Sequence, residues 1–499
     1  MRKRLSLILA VLLALCLTGC DDLPETESPN PDTTPTATQD ESDKTTTKRE
    51  IALAYSHDDT LNPFSTATEV NGQLTGLLYE GLTAISDGFA PTTVLAAKIE
   101  KTDATHLSVT LRKGAVFSDG SEVTPDDVTA SFKAAKKSGR YRRLLENVAS
   151  ANVREQAIVF TLSSADPNAK ACLIFPVVKA STLTDEVGEA PLGTGPYVLK
   201  STKTGHQLKK NAHYTADLPY GVVSLRHLPN RTARQHGVAS GEISYCYDDL
   251  SEGDIPRLSG ANRSVEMNDL VYLGMNTAKG KLKDATVRRA LSQLIDRQAV
   301  ITSTYTGWAT ASAYPFHPKW KSMKGKAGDI AVDADGALSL LKEAGCTAKT
   351  GDRLELELIY STHRGDRAKV ADAIRTQLEV AGIEITTVPL EEEEYLERLK
   401  KGEYDLYVGE IRLTADQSLR PLLMGGDASY GIDKAGETAK AYKEYLSGDK
   451  KLTAFLKVFS EDMPYIPLCW RDGMAAFDRR LTAVTPTGYD PYAGFAGWQ

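Results

Sequence analysis

Between residues 333 and 409 the chain passes three times from a helical to a strand-like apolar pattern, and this alternation restricts its fold most. Asp333 opens a helix that ends at Gly345, and the apolar run Leu354–Tyr360 follows it. A second helix ends at Gly382, the usual stop residue, ahead of Ile383–Val388. Glu391–Glu394 then leads a third helix into the strand-like run Tyr404–Val408. Strands separated by helices are the grammar of an α/β layer with crossover connections. Further runs at His106–Arg112 and Ala157–Leu162 read as strands. Thr124-Pro-Asp-Asp127 is a capping box with proline at the first helical position, and Val128, Phe132 and Ala135 share the face behind it. Asp284 opens another helix, with a buried stripe of Val287, Leu291, Leu294 and Ile295. The fold class is α/β.

The amino terminus carries different information. Arg2-Lys3-Arg4 precedes an apolar run, Leu5 to Leu17, that is too short to span a bilayer. Leu17-Thr18-Gly19-Cys20 closes it, as in a secretory signal that is removed. From Asp21 to Lys48 the chain is Thr, Pro, Asp, Glu, Ser and Asn with hardly an aliphatic residue, so it cannot bury enough apolar surface to offset its ordering entropy. Pro24, Pro29, Pro31 and Pro35 extend it as a spacer. The folded body begins near Ile51, and its roughly 450 residues exceed what a single core usually holds, so two or three domains are expected.

Charge and motif exclude several classes of function. The formal net charge is −7, and losing Arg2, Lys3 and Arg4 takes it to −10. An acidic body gives no electrostatic basis for binding nucleic acid. Of six cysteines, Cys172, Cys246, Cys346 and Cys469 remain once Cys16 and Cys20 are set aside; they form no CxxC and read as buried thiols, with pairing left open. The eight histidines show no HExxH and no clustering with cysteine, so no metal site is expected. There is no GxxxxGK[ST] loop and no serine at GxSxG spacing. Gly193-Thr-Gly195-Pro196 reads as a rigid turn, because proline removes an N–H that a phosphate cradle needs. Glu391–Glu394 reads as a surface complementing the helix dipole. No catalytic residue and no cofactor is expected. The chain does not read as an enzyme.

The remaining landmarks carry a resemblance. Leu61-Asn-Pro-Phe64 and Leu78-Tyr-Glu-Gly-Leu82 precede Leu111-Arg-Lys-Gly-Ala-Val-Phe117-Ser-Asp-Gly120 and Val123-Thr-Pro-Asp-Asp-Val128. Pro191–Tyr197, Leu273-Gly-Met-Asn276, Val287–Leu291, Ile295-Asp-Arg297, Leu340–Gly345, Tyr404-Asp-Leu406 and Pro464–Leu468 follow in order. Across about 51 to 499 this series resembles the family 5 extracellular solute-binding proteins, which serve ABC importers of oligopeptides, dipeptides and nickel. Leu17–Cys20 likewise resembles a bacterial lipobox, which implies removal of residues 1–19 and diacylation of Cys20.

The resemblance implies a two-lobed periplasmic-binding-protein-like (type II) fold with an extra subdomain on the first lobe. Residues 20–49 form the lipidated linker, 50–270 plus 465–499 the first lobe with its subdomain at about 80–185, and 271–464 the second. A monomer anchored on the extracytoplasmic face of the cell membrane then captures peptides between the lobes and hands them to permease subunits. The alternatives are a non-peptide solute (metal chelate, heme or sugar), a receptor feeding a sensor, and an envelope hydrolase. Peptide binders in this family usually show a tryptophan and then Asp-Tyr after the strand at Tyr404. This chain reads Glu410-Ile-Arg-Leu-Thr-Ala-Asp416 instead. Arg412 and Asp416 are therefore candidates for the ligand's ionic ends, or else a pair that neutralise each other. Trp470 and Arg471 at one chain crossing, Tyr272 and Asn276 at the other, Tyr245 and Tyr247 in a loop before it, and Glu80 and Thr194 in turns complete the candidate ligand-binding set.

Overall fold

The computed structural model describes residues 50–499 apart from 204, 257–259, 327, 329, 348, 350 and 351. The signal, Cys20 and the linker lie outside the described residues.

Local rules explain the elements that frame the cleft. Helix α1 (Glu69–Leu78) runs into the turn of Gly193 and Gly195. A Cβ at Gly193 would stand 2.2 Å from the Leu78 carbonyl oxygen, and Gly195 N–H donates to the same oxygen at 3.0 Å. The glycines are there for close packing, and the turn holds the end of α1. Helix α2 (Pro125–Lys137) has its capping box in place, with Thr124 Oγ1 accepting from Asp127 N–H and the Asp127 carboxylate accepting from Thr124 N–H. Helix α3 (Ala285–Leu294) is capped by Asp284, and α4 (Ala334–Glu343) by Asp333, with Gly345 at φ +69° just past its end. Helix α5 (Gly365–Val380) stops before Gly382 at φ +82°. Helix α6 (Glu392–Lys401) carries Glu392–Glu394 in its first turn and Arg398, Lys400 and Lys401 in its last, as its dipole favours.

Among the described residues eleven strands form one sheet. In chain order they are β1 (Ala52–Tyr55), β2 (Tyr197–Thr202), β3 (Gly205–Lys210), β4 (Val222–His227), β5 (Tyr245–Asp248), β6 (Ala261–Met275), β7 (Ala309–Ala311), β8 (Glu355–Ser361), β9 (Glu384–Leu390), β10 (Leu406–Arg412) and β11 (Tyr465–Phe477). Their spatial order is β9-β8-β10-β6-β11-β5-β1-β4-β3-β2, with β7 paired to β11. Strand β8 pairs in parallel with both β9 and β10, so the helix–strand alternation of 333–409 builds the crossover layer its pattern predicts.

The two long strands, β6 and β11, run antiparallel through the middle and serve two hydrophobic cores. Val265 and Met267 of β6 pack with Leu53, Leu74 and Tyr197, whereas Leu270 to Met275 pack with Leu358, Ile374 and Leu406. Strand β11 changes core between Trp470 and Ala475. The β6–β11 register slips between Glu266 and Asp269 and again between Val271 and Tyr272, close to where β6 changes core. Such irregularities bend a strand and interrupt its ladder, so the chain is locally kinked where it passes between the cores. A third core is built on a four-stranded antiparallel sheet from residues 96–162, covered by Val128, Phe132 and Ala135 of α2. Tyr245 and Tyr247, expected in a loop, lie on β5, every residue of which is buried. Pairing with β11 on one side and β1 on the other makes that segment a central strand.

Candidate functional site

Helix α1, the turn after α2, the end of β10 and the carboxy-terminal segment 488–496 enclose a cavity of about 540 Å³. Two small residues on α1 let charged groups come close. A Cβ at Gly72 would overlap the Arg140 guanidinium, and one at Gly76 would stand 2.5 Å from Asp490 Oδ1. The two glycines are four residues apart and so share a helix face, which sets a cation and an acid one turn apart along α1. Among the described residues no ion pair engages Arg140 or Asp490. Asp490 accepts the Tyr492 N–H at 2.9 Å, and burial pushes its carboxyl up to about 6 against that hydrogen bond.

Other acids line the same space. Glu80 accepts from Thr194 Oγ1 at 2.9 Å, and burial raises its carboxyl despite the Thr194 and Tyr214 hydroxyls and nearby Arg112. Glu69 is also raised by burial, although Arg234 lies at 2.9 Å. Tyr141, Tyr247, Tyr489 and Tyr492 supply aromatic wall. The cavity is thus lined by tyrosine, by more acids than arginines, and by one arginine with no acid of its own.

A second cavity of about 350 Å³ lies on the other side of Arg412. Tyr272, Tyr395 and Tyr407 line it with Arg143, Arg364 and Arg367. Between the two cavities lies a knot of alternating charge. Arg412 forks onto Asp269 at 2.7 and 2.9 Å and reaches Asp249 at 2.8 Å. Arg471 Nη2 donates to Asp269 at 3.0 Å and to Glu410 at 3.0 Å. Arg367 meets Glu410 at 2.6 Å, and Arg364 joins Glu410 at 3.2 Å to Asp366 at 2.7 Å. Burial alone would raise the Glu410 carboxyl, but Arg367, Arg471 and Arg364 reverse this and hold it well below the usual range.

The sequence candidates separate on this geometry. Arg412, Tyr247 and Glu80 line the larger cavity, and Tyr272 lines the smaller one. Thr194 acts behind Glu80. Arg412 and Asp416 are not brought together as a pair or as joint ligands: Arg412 is held by Asp269 and Asp249. Asp416 is buried with Thr414, Asp166, Cys172 and Arg420, where burial raises its carboxyl. Trp470 is fully buried against His317, with ring centroids 5.3 Å apart, so it is core and not a stacking platform. Arg471, 2% exposed, is spent on the knot. Tyr245 packs on Tyr492 and Trp498 and donates to the Pro491 carbonyl, and Asn276 ties down the Gly402 and Tyr404 carbonyls. Sequence reasoning missed Arg140 and Asp490. The only signals were a cluster of arginines at 140–143 and a Gly- and Tyr-rich segment with a lone acid at 488–494. The four cysteines beyond the linker are free, buried thiols.

Residues 90–424 match the family model for bacterial extracellular solute-binding proteins, family 5. The chain is 23% identical over 472 residues to the oligopeptide-binding protein AppA of Bacillus subtilis, covering 84% of this chain and 86% of that one. It is 23% identical over 450 residues to heme-binding protein A of Haemophilus influenzae, covering 77% and 80%. In structure it is similar to NikA from Brucella suis in complex with Fe(III)-EDTA, with TM-score 0.69, 19% identity, and coverage of 90% and 99%. The fold is therefore the two-lobed, type II periplasmic-binding-protein architecture. No helix among the described residues is long and apolar enough to cross a membrane.

A carboxyl with a folded-state pKa near 6, against about 3.9 unfolded, binds its proton more tightly in the folded protein. Its contribution to stability is complete below pH 4 and is lost as pH rises through 6. Asp490→Asn should therefore gain stability relative to the parent between pH 4 and pH 7.5, by on the order of 2–3 kcal/mol. Urea unfolding of the ligand-free proteins at both pH values measures this, and equal differences at the two would mean that Asp490 is solvated and ordinary.

Proposed function

We propose that this chain, which belongs to the bacterial extracellular solute-binding proteins of family 5, binds short peptides with free ends in the cavity beside α1, which Arg412 of the second lobe borders, for delivery to an ABC importer. Members of the family are the binding subunits of such importers and work with permeases; they are not enzymes. The observation that carries the peptide reading is the unpaired Arg140 facing the unpaired Asp490 along α1. An ammonium placed at Asp490 relieves the burial of its carboxyl, and a carboxylate placed at Arg140 supplies the acid that arginine lacks. Opposite charges about one helical turn, ~5.4 Å, apart along α1 suit the ends of a very short zwitterion such as a dipeptide, at ~3.3–3.6 Å per extended residue. The volume lies in the range of small-ligand pockets, and the tyrosines offer apolar faces that do not discriminate among side chains. A polyanionic chelate fits less well, because Glu69, Glu80, Asp249 and Asp490 outnumber Arg140 and Arg412 around the cavity.

Calorimetric screening of free di- to tetrapeptides tests this reading. Some members should bind, N-acetylation of a binder should weaken it at least tenfold, and Asp490→Asn should weaken the free peptide but not its acetylated form. If acetylated and free peptides bind alike, the amine has no acidic partner and the solute is not held by its ends.

We also propose that Cys20 is diacylated and holds the receptor on the outer face of the membrane. Two acyl chains suffice for stable anchoring, whereas one does not. Cys20→Ser should leave the precursor unprocessed or release the protein in soluble form. Normal processing with retention in the membrane fraction would contradict the anchor.

A further inference from the structure

Away from the cleft, three side chains converge at one edge of the first core. His57, Asp58 and His227 each offer one ligand atom, and these atoms lie within 4.8 Å of one another. We infer that His57, Asp58 and His227 form a surface site for one divalent transition-metal cation of the zinc class, separate from the solute cavity.

The fold sets the site. Strands β1 and β4 pair in parallel with Tyr55 opposite His227, so His227 ends one strand just where the chain leaves the other toward His57. One main-chain hydrogen bond and one from main chain to a ring nitrogen fix this approach. Leu228 N–H donates to the Tyr55 carbonyl at 3.0 Å, and His57 N–H donates to His227 Nδ1 at 3.2 Å. The next turn is held from α1: the Asn71 side chain accepts from Ser56 N–H at 2.8 Å and donates to the Ser56 carbonyl at 2.9 Å. The two imidazole rings stand 3.6 Å apart between centroids. Asp58 spans them, with Oδ1 3.1 Å from His57 Nε2 and Oδ2 3.6 Å from His227 Nε2.

Two imidazoles and one carboxylate are a donor set that suits zinc, nickel or copper, whereas calcium and magnesium prefer oxygen ligands alone. Three protein ligands leave a fourth position for water. Neighbouring groups do not complete the set. Asp59 is occupied by the Thr66 and Thr68 hydroxyls and by the main-chain N–H groups of Ala67 and Thr68. His206 has its Nδ1 against the Tyr55 hydroxyl at 3.2 Å. Coordination through His227 Nε2 moves that ring's proton to Nδ1 and gives up the exposed contact with His57 N–H. This cost, together with the exposure of all three residues, places the site in the micromolar range and not among closed structural zinc sites.

The test is calorimetric titration of chelator-stripped mature protein with zinc chloride. One equivalent should bind with micromolar affinity. His57→Ala and His227→Ala should each weaken it at least tenfold, and His236→Ala, outside the cluster, should leave it unchanged. Copper loaded in place of zinc should show nitrogen hyperfine structure from two imidazoles in electron paramagnetic resonance, reduced to one in either variant. No zinc binding below millimolar concentration would overturn the proposal. So would undiminished binding in the His57→Ala, His227→Ala double variant, because the zinc would then be held elsewhere.

Discussion

Asp269 stands opposite Arg412 on one neighbouring strand and opposite Arg471 on the other, and the arrangement of the cleft depends on this three-strand contact. Asp269 is 1% exposed, and a lone carboxylate there would be strongly disfavoured. Arg471 passes the charge on to Glu410, and Arg367 and Arg364 continue it to Asp366, so four arginines face four carboxylates once Asp249 is included. Such a network need not add net stability over an apolar equivalent, but breaking one buried pair costs about 3–5 kcal/mol. What it supplies is a fixed relation among β5, β6, β10, β11 and the start of α5. It does so beside the register slips where β6 leaves one core for the other. Arg412, whose side chain is 51% exposed, is the knot's outer face and borders both cavities.

The cleft is built on an opposite principle. Asp490 and Glu80 are held where burial disfavours their charge, and Arg140, over α1, has no ion-pair partner among the described residues. On the peptide reading the solute compensates the buried Asp490 carboxyl, so binding strength is obtained at the expense of stability in the empty state. The tyrosine walls add contact area without a demand for one side chain, a property suited to varied peptides.

The parts of the fold that follow local rules were legible. The helices capped by Thr124, Asp284 and Asp333, the glycine stops at 345 and 382, and the crossover layer follow from residues near in sequence. The site was less legible, for a physical reason. Trp470 and Arg471 lie at a crossing and Tyr245 was expected in a loop before the other, but all three fall on central strands buried on both faces, where position does not tell cleft from core. Arg140 and Asp490 come from a turn and a coil that carry no periodicity, and only packing on α1 brings them together. His57 and His227 are 170 residues apart, and only the parallel pairing of β1 with β4 makes them neighbours.

We propose that β6 and β11 bend at the register slips beside the knot, which itself stays rigid, and that the solute draws the second lobe over the cavity beside α1. Solution X-ray scattering on the mature protein, empty and saturated with the tightest peptide of the screen, tests it most directly. Closure should reduce the radius of gyration, and the change should be lost in Asp490→Asn at the same peptide concentration. Saturating binding with an unchanged radius of gyration would contradict the account, because the peptide would then occupy a cleft whose lobes do not move.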